Sequence, residues 1–332
     1  MIIPRTNSLI LFGGGNLLLS VAKWSLKVGF DVKIVTSPRF LHEKMDDGKE
    51  FHAHLSLNVI PYISKTNLYD TEFFDFIEKI DSSFCLSIAA PWIFRENQLR
   101  KIFRNRLFNL HGTRLPQGRG GAPISWQIMM GIKLGFCQLH QVSPGIDDGD
   151  IIATEEFLYP ATARLPKEYM SIYEKRNLRF LQKILKKILV SQFQGEGTKQ
   201  SDYLSTYYPR LKTDVNGWIN WNLASHQLEC FICAFDNPYI GAQTLLNGKK
   251  VHLRKVLTDQ SDPIFHEYQY GLIYRTNKKW INICINGGFL IVTKLTDENG
   301  NDILKDIKVG DRLHTPMRLL EEAKQRVHFG AV

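Results

Sequence analysis

Along the first third of the chain, continuous apolar runs alternate with segments whose apolar residues recur at helical spacing. "SLILFGGG" (residues 8–15) is an apolar run closed by glycines, the pattern of a strand buried on both faces. "NLLLSVAKWSLKVGF" (16–30) has apolar residues three and four apart and stops near Gly29, which predicts a helix. "DVKIVTS" is the next strand and "LNVIPYIS" a short β-branched one. "TEFFDFIEKI" then predicts a helix, "SFCLSIAAPW" a strand, "ENQLRKIF" a short helix and "RLFNLH" a further strand. Strands alternating with helices imply an α/β fold with an open, mostly parallel, Rossmann-like sheet. The glycine run Gly13-Gly14-Gly15 does not complete a GxGxxG fingerprint, because Asn16, Leu17 and Leu18 follow; it reads as a tight strand-to-helix turn.

The pattern changes further on. From Pro166 to about Phe193 the chain is helical and basic, its Lys and Arg forming a solvated face. "QGEGTKQSDYLSTYYPR" (194–210) is polar and reads as a linker. A helix over "HQLECFICAF" follows, with Asn222 or Ser225 as its cap. Beyond Pro238, "GAQTLLNGKKVHLRKVL", "YGLIYRTNKKWINICINGGFLIVTKLTD" and "NGNDILK" read as strands joined by Asn-Gly and Gly-Gly turns. They predict a small β-barrel or half-barrel. The expected division is a catalytic unit over residues 1–205 and a β-rich unit over 206–332.

Composition narrows the classes. No apolar run approaches the roughly 18 residues of a membrane span. The start reads as a first strand and not as a signal peptide, so a cytoplasmic protein is expected. The net charge is +9, with 26 Lys and Arg against 20 Asp and Glu up to residue 205 and 16 against 13 beyond it. An excess spread so evenly fits an anionic small molecule as well as a nucleic acid. Five cysteines are scattered. Cys230 and Cys233 form a CxxC inside a helical pattern, with no second CxxC and no histidine pair, so they read as structural and no metal is expected.

The chemistry concentrates in "FNLHGTRLPQGRGGAPISWQIMMG" (108–131). Asn109 and His111 lie at the carboxyl end of a strand, where open α/β sheets bind ligands. Two residues apart, they face the same side. No Ser or Cys nucleophile stands beside them. Downstream, "CQLHQVSPGIDDGDII" carries Asp147, Asp148 and Asp150, any of which is able to orient an imidazole. Singly, each residue has a plainer use: Asn109 in a turn, His111 in the core, the aspartates as caps.

Together these segments resemble the formyltransferase superfamily that uses 10-formyltetrahydrofolate. The resemblance rests on Asn109-x-His111, Leu115-Pro116, the Arg119-Gly120 stretch and Gly145-Ile146-Asp147-Asp148-Gly149. It selects Asp147 among the three aspartates. It implies direct attack of a substrate amine on the formyl carbon, with Asn109 and His111 at the oxyanion and Asp147 supporting the imidazole. It places the folate co-substrate against Ile88, Ala89, Ala90, Pro91, Trp92 and Ile93, and against Ser143, Gly145 and Ile146. "LKTDVNGWINWNLASHQLECFICAFDNPYIGAQTLLNGKKVHL" and "GGFLIVTKLTDENGNDI" resemble the OB-like C-terminal domain of the tRNA and 4-amino-arabinose formyltransferases. A homodimer is a family-level expectation.

The acceptor is a separate question. Members acting on methionyl-tRNA carry a basic insertion after the second strand. Here that region has Glu43, Asp46, Asp47 and Glu50 among its cations, a poor surface for summed phosphate charge. "HGTRLPQ" with "RGGAPISWQ" is most similar to sugar N-formyltransferases acting on dTDP-linked amino-dideoxy sugars of bacterial O-antigens. Under that resemblance Arg114 and Arg119 meet the pyrophosphate and Trp126 lies near the sugar. The alternatives are a methionyl-tRNA formyltransferase, with tRNA as partner, a hydrolase of 10-formyltetrahydrofolate, and a non-catalytic folate- or nucleotide-sugar-binding protein.

Overall fold

The computed structural model describes residues 1–78, 80–261 and 264–325. Its first unit is built from β1 (Ser8–Gly13), α1 (Gly15–Val28), β2 (Asp31–Thr36), α2 (Phe51–Leu57), β3 (Tyr62–Ser64), α3 (Thr71–Phe76) and β4 (Ser83–Ile88). It continues with α4 (Glu96–Lys101), β5 (Leu107–His111), α5 (Pro123–Met129), β6 (Leu134–Gln141), β7 (Ile151–Leu158) and α6 (Pro166–Val190). The seven strands form one sheet in the order β3-β2-β1-β4-β5-β6-β7. The first five are parallel; β6 runs antiparallel to β5, and β7, antiparallel to β6, returns to the common direction. Leu9, Leu11 and Leu86 on one face join α1 and α6 in a large core, while Ile10, Phe12 and Cys85 on the other pack with Phe73, Phe94 and Phe103. A sheet covered on both faces has no polar side to its inner strands, which is why β1 reads as an unbroken apolar run.

The Gly13–Gly15 turn is tight for a steric reason. A Cβ on Gly13 would stand 1.9 Å from the Ile88 carbonyl oxygen, and Gly13 and Gly15 have φ of 127° and 87°. The glycines let the ends of β1 and β4 close up and send the chain directly into α1.

The second unit comprises α7 (Ser225–Ala234), β8 (Ala242–Leu246), β9 (Lys249–Asp259), β10 (Ile273–Asn277), β11 (Trp280–Ile285), β12 (Gly288–Asp297) and β13 (Leu313–His314). Its sheet is antiparallel in the order β10-β11-β12-β9-β8-β13. The sheet curls until its two edges meet at the Leu272–Arg312 bridge, so the expected barrel is present. The units are joined by α5 against α7, by the Ser125 hydroxyl donating to the Ala234 carbonyl (3.1 Å), and by an Arg164–Glu229 ion pair.

Several expected elements differ. The "LNVIPYIS" strand shrinks to Tyr62–Ser64, because Leu57 ends a helix whose periodicity in "FHAHLSL" was missed. The "SFCLSIAAPW" strand stops at Ile88, since Ala89 turns into the left-handed region at φ 55°. "NGNDILK" supplies one bridge and a 3-10 turn rather than a strand. Ala224, not Asn222 or Ser225, is the N-cap of α7, and no side chain caps it. Residues 194–210 are not a free linker: Phe193–Gln194 pairs with Ile2–Ile3, and Tyr207–Tyr208 pairs in parallel with Arg119–Gly120. The first residues beyond the expected 205/206 division are therefore still bonded to the catalytic unit. Backbone groups in a polar stretch need partners, and here the sheet edge provides them. Cys233 is buried, its thiol pushed up to about 12 by that burial, while Cys230 is half-buried. Among the described residues no helix is long and apolar enough to cross a membrane.

Candidate active site

The antiparallel register of β5 and β6 sets Asn109 directly opposite His140 and His111 opposite Gln138. Asp147 reaches the same spot from the turn between β6 and β7. Gly149 makes that return possible, because a Cβ there would lie 1.9 Å from the Gln141 carbonyl oxygen. The result is a compact group: Asn109 Nδ2 is 3.1 Å from His140 Nε2, His111 Nδ1 is 3.7 Å from Asp147 Oδ2, and His140 Nε2 is 3.5 Å from Asp147 Oδ1. Of the three aspartates only Asp147 faces the histidines. Asp148 accepts a hydrogen bond from the Ser143 hydroxyl instead.

His140 was not singled out in the sequence, yet its bonding defines the site. Its Nδ1 lies 2.8 Å from the Gln141 carbonyl, which only accepts, so Nδ1 carries the proton. Nε2 then offers its lone pair to the Asn109 amide. This fixes the amide's orientation and leaves its second N–H free for a ligand.

His111 is buried. Its Nε2 lies 3.0 Å from the Gly118 carbonyl and 2.7 Å from Thr113 Oγ1, and Thr113 itself donates to Gly118. Burial holds the His111 pKa below its ordinary value, with the Asp147 charge opposing. Burial pushes the Asp147 carboxyl up, but His111, His140 and the Gly120 amide together outweigh it and hold it well below the carboxylate range. The centre therefore pairs an ionised carboxylate with a neutral imidazole. Both ring nitrogens of His111 face acceptors, so a second proton is well accommodated. Such a group donates from an amide, takes a proton at an imidazole, and holds the resulting cation beside an anion. The group contains no serine or cysteine, and the Thr113 hydroxyl beside His111 donates its proton to the Gly118 carbonyl.

The other expected residues are distributed unevenly. A cavity of about 320 Å³ near the amino end of β5 is lined by Glu96, Leu99, Arg100, Asn105, Gln141, Val142, Ser143 and Pro144. Of the folate residues expected from the resemblance, Ser143 lines it. Ile88 is buried, Trp92 donates to the Thr66 carbonyl (3.1 Å), and Ile93 and Ile146 are exposed. The lining from α4 was missed, since a short polar helix gave no sign of facing a cavity. Arg114 is exposed. Arg119 is turned inward: Nε donates to Gln200 (3.1 Å) and Nη1 to Asp202 (2.9 Å). The fork expected to meet a pyrophosphate is thus spent on the protein, apart from one buried N–H group, Nη2. Trp126 stacks on Tyr208 (5.5 Å) and donates to the Pro209 carbonyl (2.9 Å), holding the segment before the second unit rather than lining an open pocket.

An α/β sheet followed by a curled antiparallel barrel is also the architecture of solved formyltransferases. Residues 212–305 match the formyl transferase C-terminal domain. The bifunctional polymyxin resistance protein ArnA of Wigglesworthia glossinidia brevipalpis is 29% identical over 199 residues, 59% of this chain and 29% of that protein. The methionyl-tRNA formyltransferase of Rickettsia bellii is 28% identical over 240 residues, 72% of this chain and 74% of that protein. Among solved structures, the sugar 3N-formyltransferase WlaRD with dTDP and 5-N-formyl-THF has a TM-score of 0.63 at 18% identity, covering 86% of this chain and 97% of that one. The N-formyltransferase of Helicobacter canadensis with folinic acid and dTDP-3-aminofucose has a TM-score of 0.65 at 18% identity, covering 87% and 99%. The chain is thus similar in sequence to formyltransferases over most of its length and shares the fold of solved members.

Proposed function

We infer that the protein is a folate-dependent N-formyltransferase that moves the formyl group of 10-formyltetrahydrofolate to the amine of a nucleotide-linked amino sugar. The observation that carries the chemistry is the cluster of Asn109, His111, His140 and Asp147 without a nucleophile. The substrate amine attacks the formyl carbon, and a tetrahedral oxyanion forms. The free Asn109 N–H donates to that oxyanion. Neutral His111 takes the proton released by the amine, and Asp147 balances the imidazolium. Collapse returns a proton to the departing folate nitrogen. The cavity beside Ser143 is where the pterin is proposed to lie.

A dTDP-linked sugar as acceptor is supported by the two sugar-modifying enzymes that share this fold across most of their length. It is further supported by Arg39 and Arg210: partial burial of the Arg39 guanidinium lowers its pKa first, and the nearby Arg210 charge lowers it further. Arg210 lies over Gly121, one residue from the Gly120 amide that donates to Asp147. A like-charged pair beside the reacting groups is suited to a diphosphate. The second reading, a methionyl-tRNA formyltransferase, is favoured by curated relatives such as that of Rickettsia bellii. Release of tetrahydrofolate, followed by absorbance, separates them. The panel is dTDP- and UDP-linked 3-amino and 4-amino sugars, methionyl-tRNA and buffer. Turnover with one nucleotide sugar is expected. Turnover with methionyl-tRNA alone sinks the sugar reading, and turnover in buffer alone makes the protein a hydrolase.

A further inference from the structure

Asp147 sits at φ 50°, a conformation that non-glycine residues adopt only where the surroundings hold them. The surroundings here come from residues 198–208, well removed in sequence. Gln200 Nε2 donates to the Asp147 carbonyl (2.8 Å) and to the Gly149 carbonyl (2.7 Å), gripping the turn at both ends. Its Oε1 accepts from Arg119 Nε (3.1 Å). Thr198 exchanges two backbone hydrogen bonds with Ile151 at 2.8 and 2.9 Å, fixing where Gln200 starts. On the facing loop, the Gly118 amide donates to Thr206 Oγ1 (2.9 Å), and the Gly120 amide donates to Asp147 Oδ2 (3.0 Å). One stretch of chain thus ties the loop after His111 to the loop carrying Asp147.

We propose that Gln200 is a positioning residue: its amide holds the Asp147–Gly149 turn so that the Asp147 carboxylate stands between His111 and His140. The proposal rests on the formyl-transfer reading only for its kinetic arm. An amide is needed because the turn presents two carbonyls on one side, and a single NH₂ group satisfies both. A glutamate of the same size keeps the acceptor for Arg119 but has no proton for either carbonyl.

The test compares Gln200→Glu and Gln200→Ala with Asp202→Ala, which removes the Arg119 ion pair on the same segment and leaves the turn's amide in place. Both Gln200 variants are expected to lose roughly 10- to 100-fold in kcat, the scale of a small misplacement of a reacting group. KM for folate and acceptor stays close to wild type, while Tm falls in both Gln200 variants because the two turn carbonyls lose their donor. Asp202→Ala keeps its kcat. Independently of any substrate, the ring-nitrogen resonances of His111 and His140 are expected to move in Gln200→Glu and to stay in place in Asp202→Ala. Unmoved resonances, unchanged kcat, or an equal loss in Asp202→Ala overturns the assignment. If wild type turns over no acceptor, the formyl-transfer reading fails, and the resonances alone still decide whether Gln200 sets Asp147.

Discussion

Replacing His140 with leucine removes the acceptor of the Asn109 amide with little change in volume. The bond is a neutral one of 3.1 Å in a buried setting. A neutral hydrogen bond contributes about 0.5–1.5 kcal/mol net, and a buried N–H left unpaired costs about 1–3 kcal/mol. In the variant the Asn109 amide is free to rotate toward another partner, which misdirects the N–H meant for the oxyanion. The upper limit is loss of the donor itself, about 2.7–4 kcal/mol. His140→Leu is therefore expected to lower kcat by roughly 5- to 150-fold, equivalent to about 1–3 kcal/mol. His140→Gln, which offers an amide oxygen, recovers part of the rate. The assay is tetrahydrofolate release at saturating acceptor, with Tm measured alongside. The decisive comparison is a double-mutant cycle with Asn109→Ala. If His140 acts by aiming Asn109, its loss adds little once that amide is gone. A full additional loss in the Asn109→Ala background, or a wild-type rate for His140→Leu, refutes the reasoning.

The remaining predictions concern pH, the Asp147 turn and the acceptor. Because the folded His111 resists protonation, kcat/KM should hold until pH falls below the ordinary histidine value of about 6.5. Asp147→Asn removes the anion that favours the imidazolium and should move that acid limb to still lower pH. His111 also makes stability rise with pH between its folded value and about 6.5, since the unfolded chain binds the proton that the folded one refuses. Glu174, whose carboxyl burial raises to about 7, titrates nearby, so the profile is best recorded in a Glu174→Gln background. Gly149→Ala puts a Cβ against the Gln141 carbonyl and should lower stability by roughly 1–3 kcal/mol with a larger loss of kcat; an unchanged Tm would remove the steric argument. Arg39→Ala and Arg210→Ala should each raise KM for the nucleotide sugar roughly 10-fold and flatten its salt dependence, leaving KM for folate unchanged. A KM insensitive to both places the diphosphate elsewhere.

How legible the site was depends on the distance over which each residue acts. Asn109 and His111 lie two residues apart on one strand, so a period of two was enough to put them on a common face. The sheet itself was legible for the same reason: its inner strands are apolar on both sides. Asp147 could not be chosen from residue type, because Asp148 and Asp150 offer the same carboxylate. What selects it sterically is the turn, set by Gly149 lying against the Gln141 carbonyl. His140 required the antiparallel register of β5 and β6. A reading that treats strand ends only as the mouths of a parallel sheet does not look for a partner directly across.

Arg119 and Gln200 show the opposite kind of error, in which side-chain type pointed away from the use. A guanidinium in a glycine-rich turn suggests a phosphate, and a polar stretch suggests a linker. Here the arginine is spent on Gln200 and Asp202, and the stretch is bonded along its length to both loops of the site. Composition reports that a segment is polar; it does not report whether its donors face water or carbonyls 51 and 53 residues away. That distinction matters for the chemistry. If residues 198–208 were free, the Asp147–Gly149 turn would lose its Gln200 donor, and only the Gly120 amide and the Gly149 contact would be left to keep the carboxylate beside the imidazole. With them bonded, the path from Asp147 to the β-rich unit is a short run of chain.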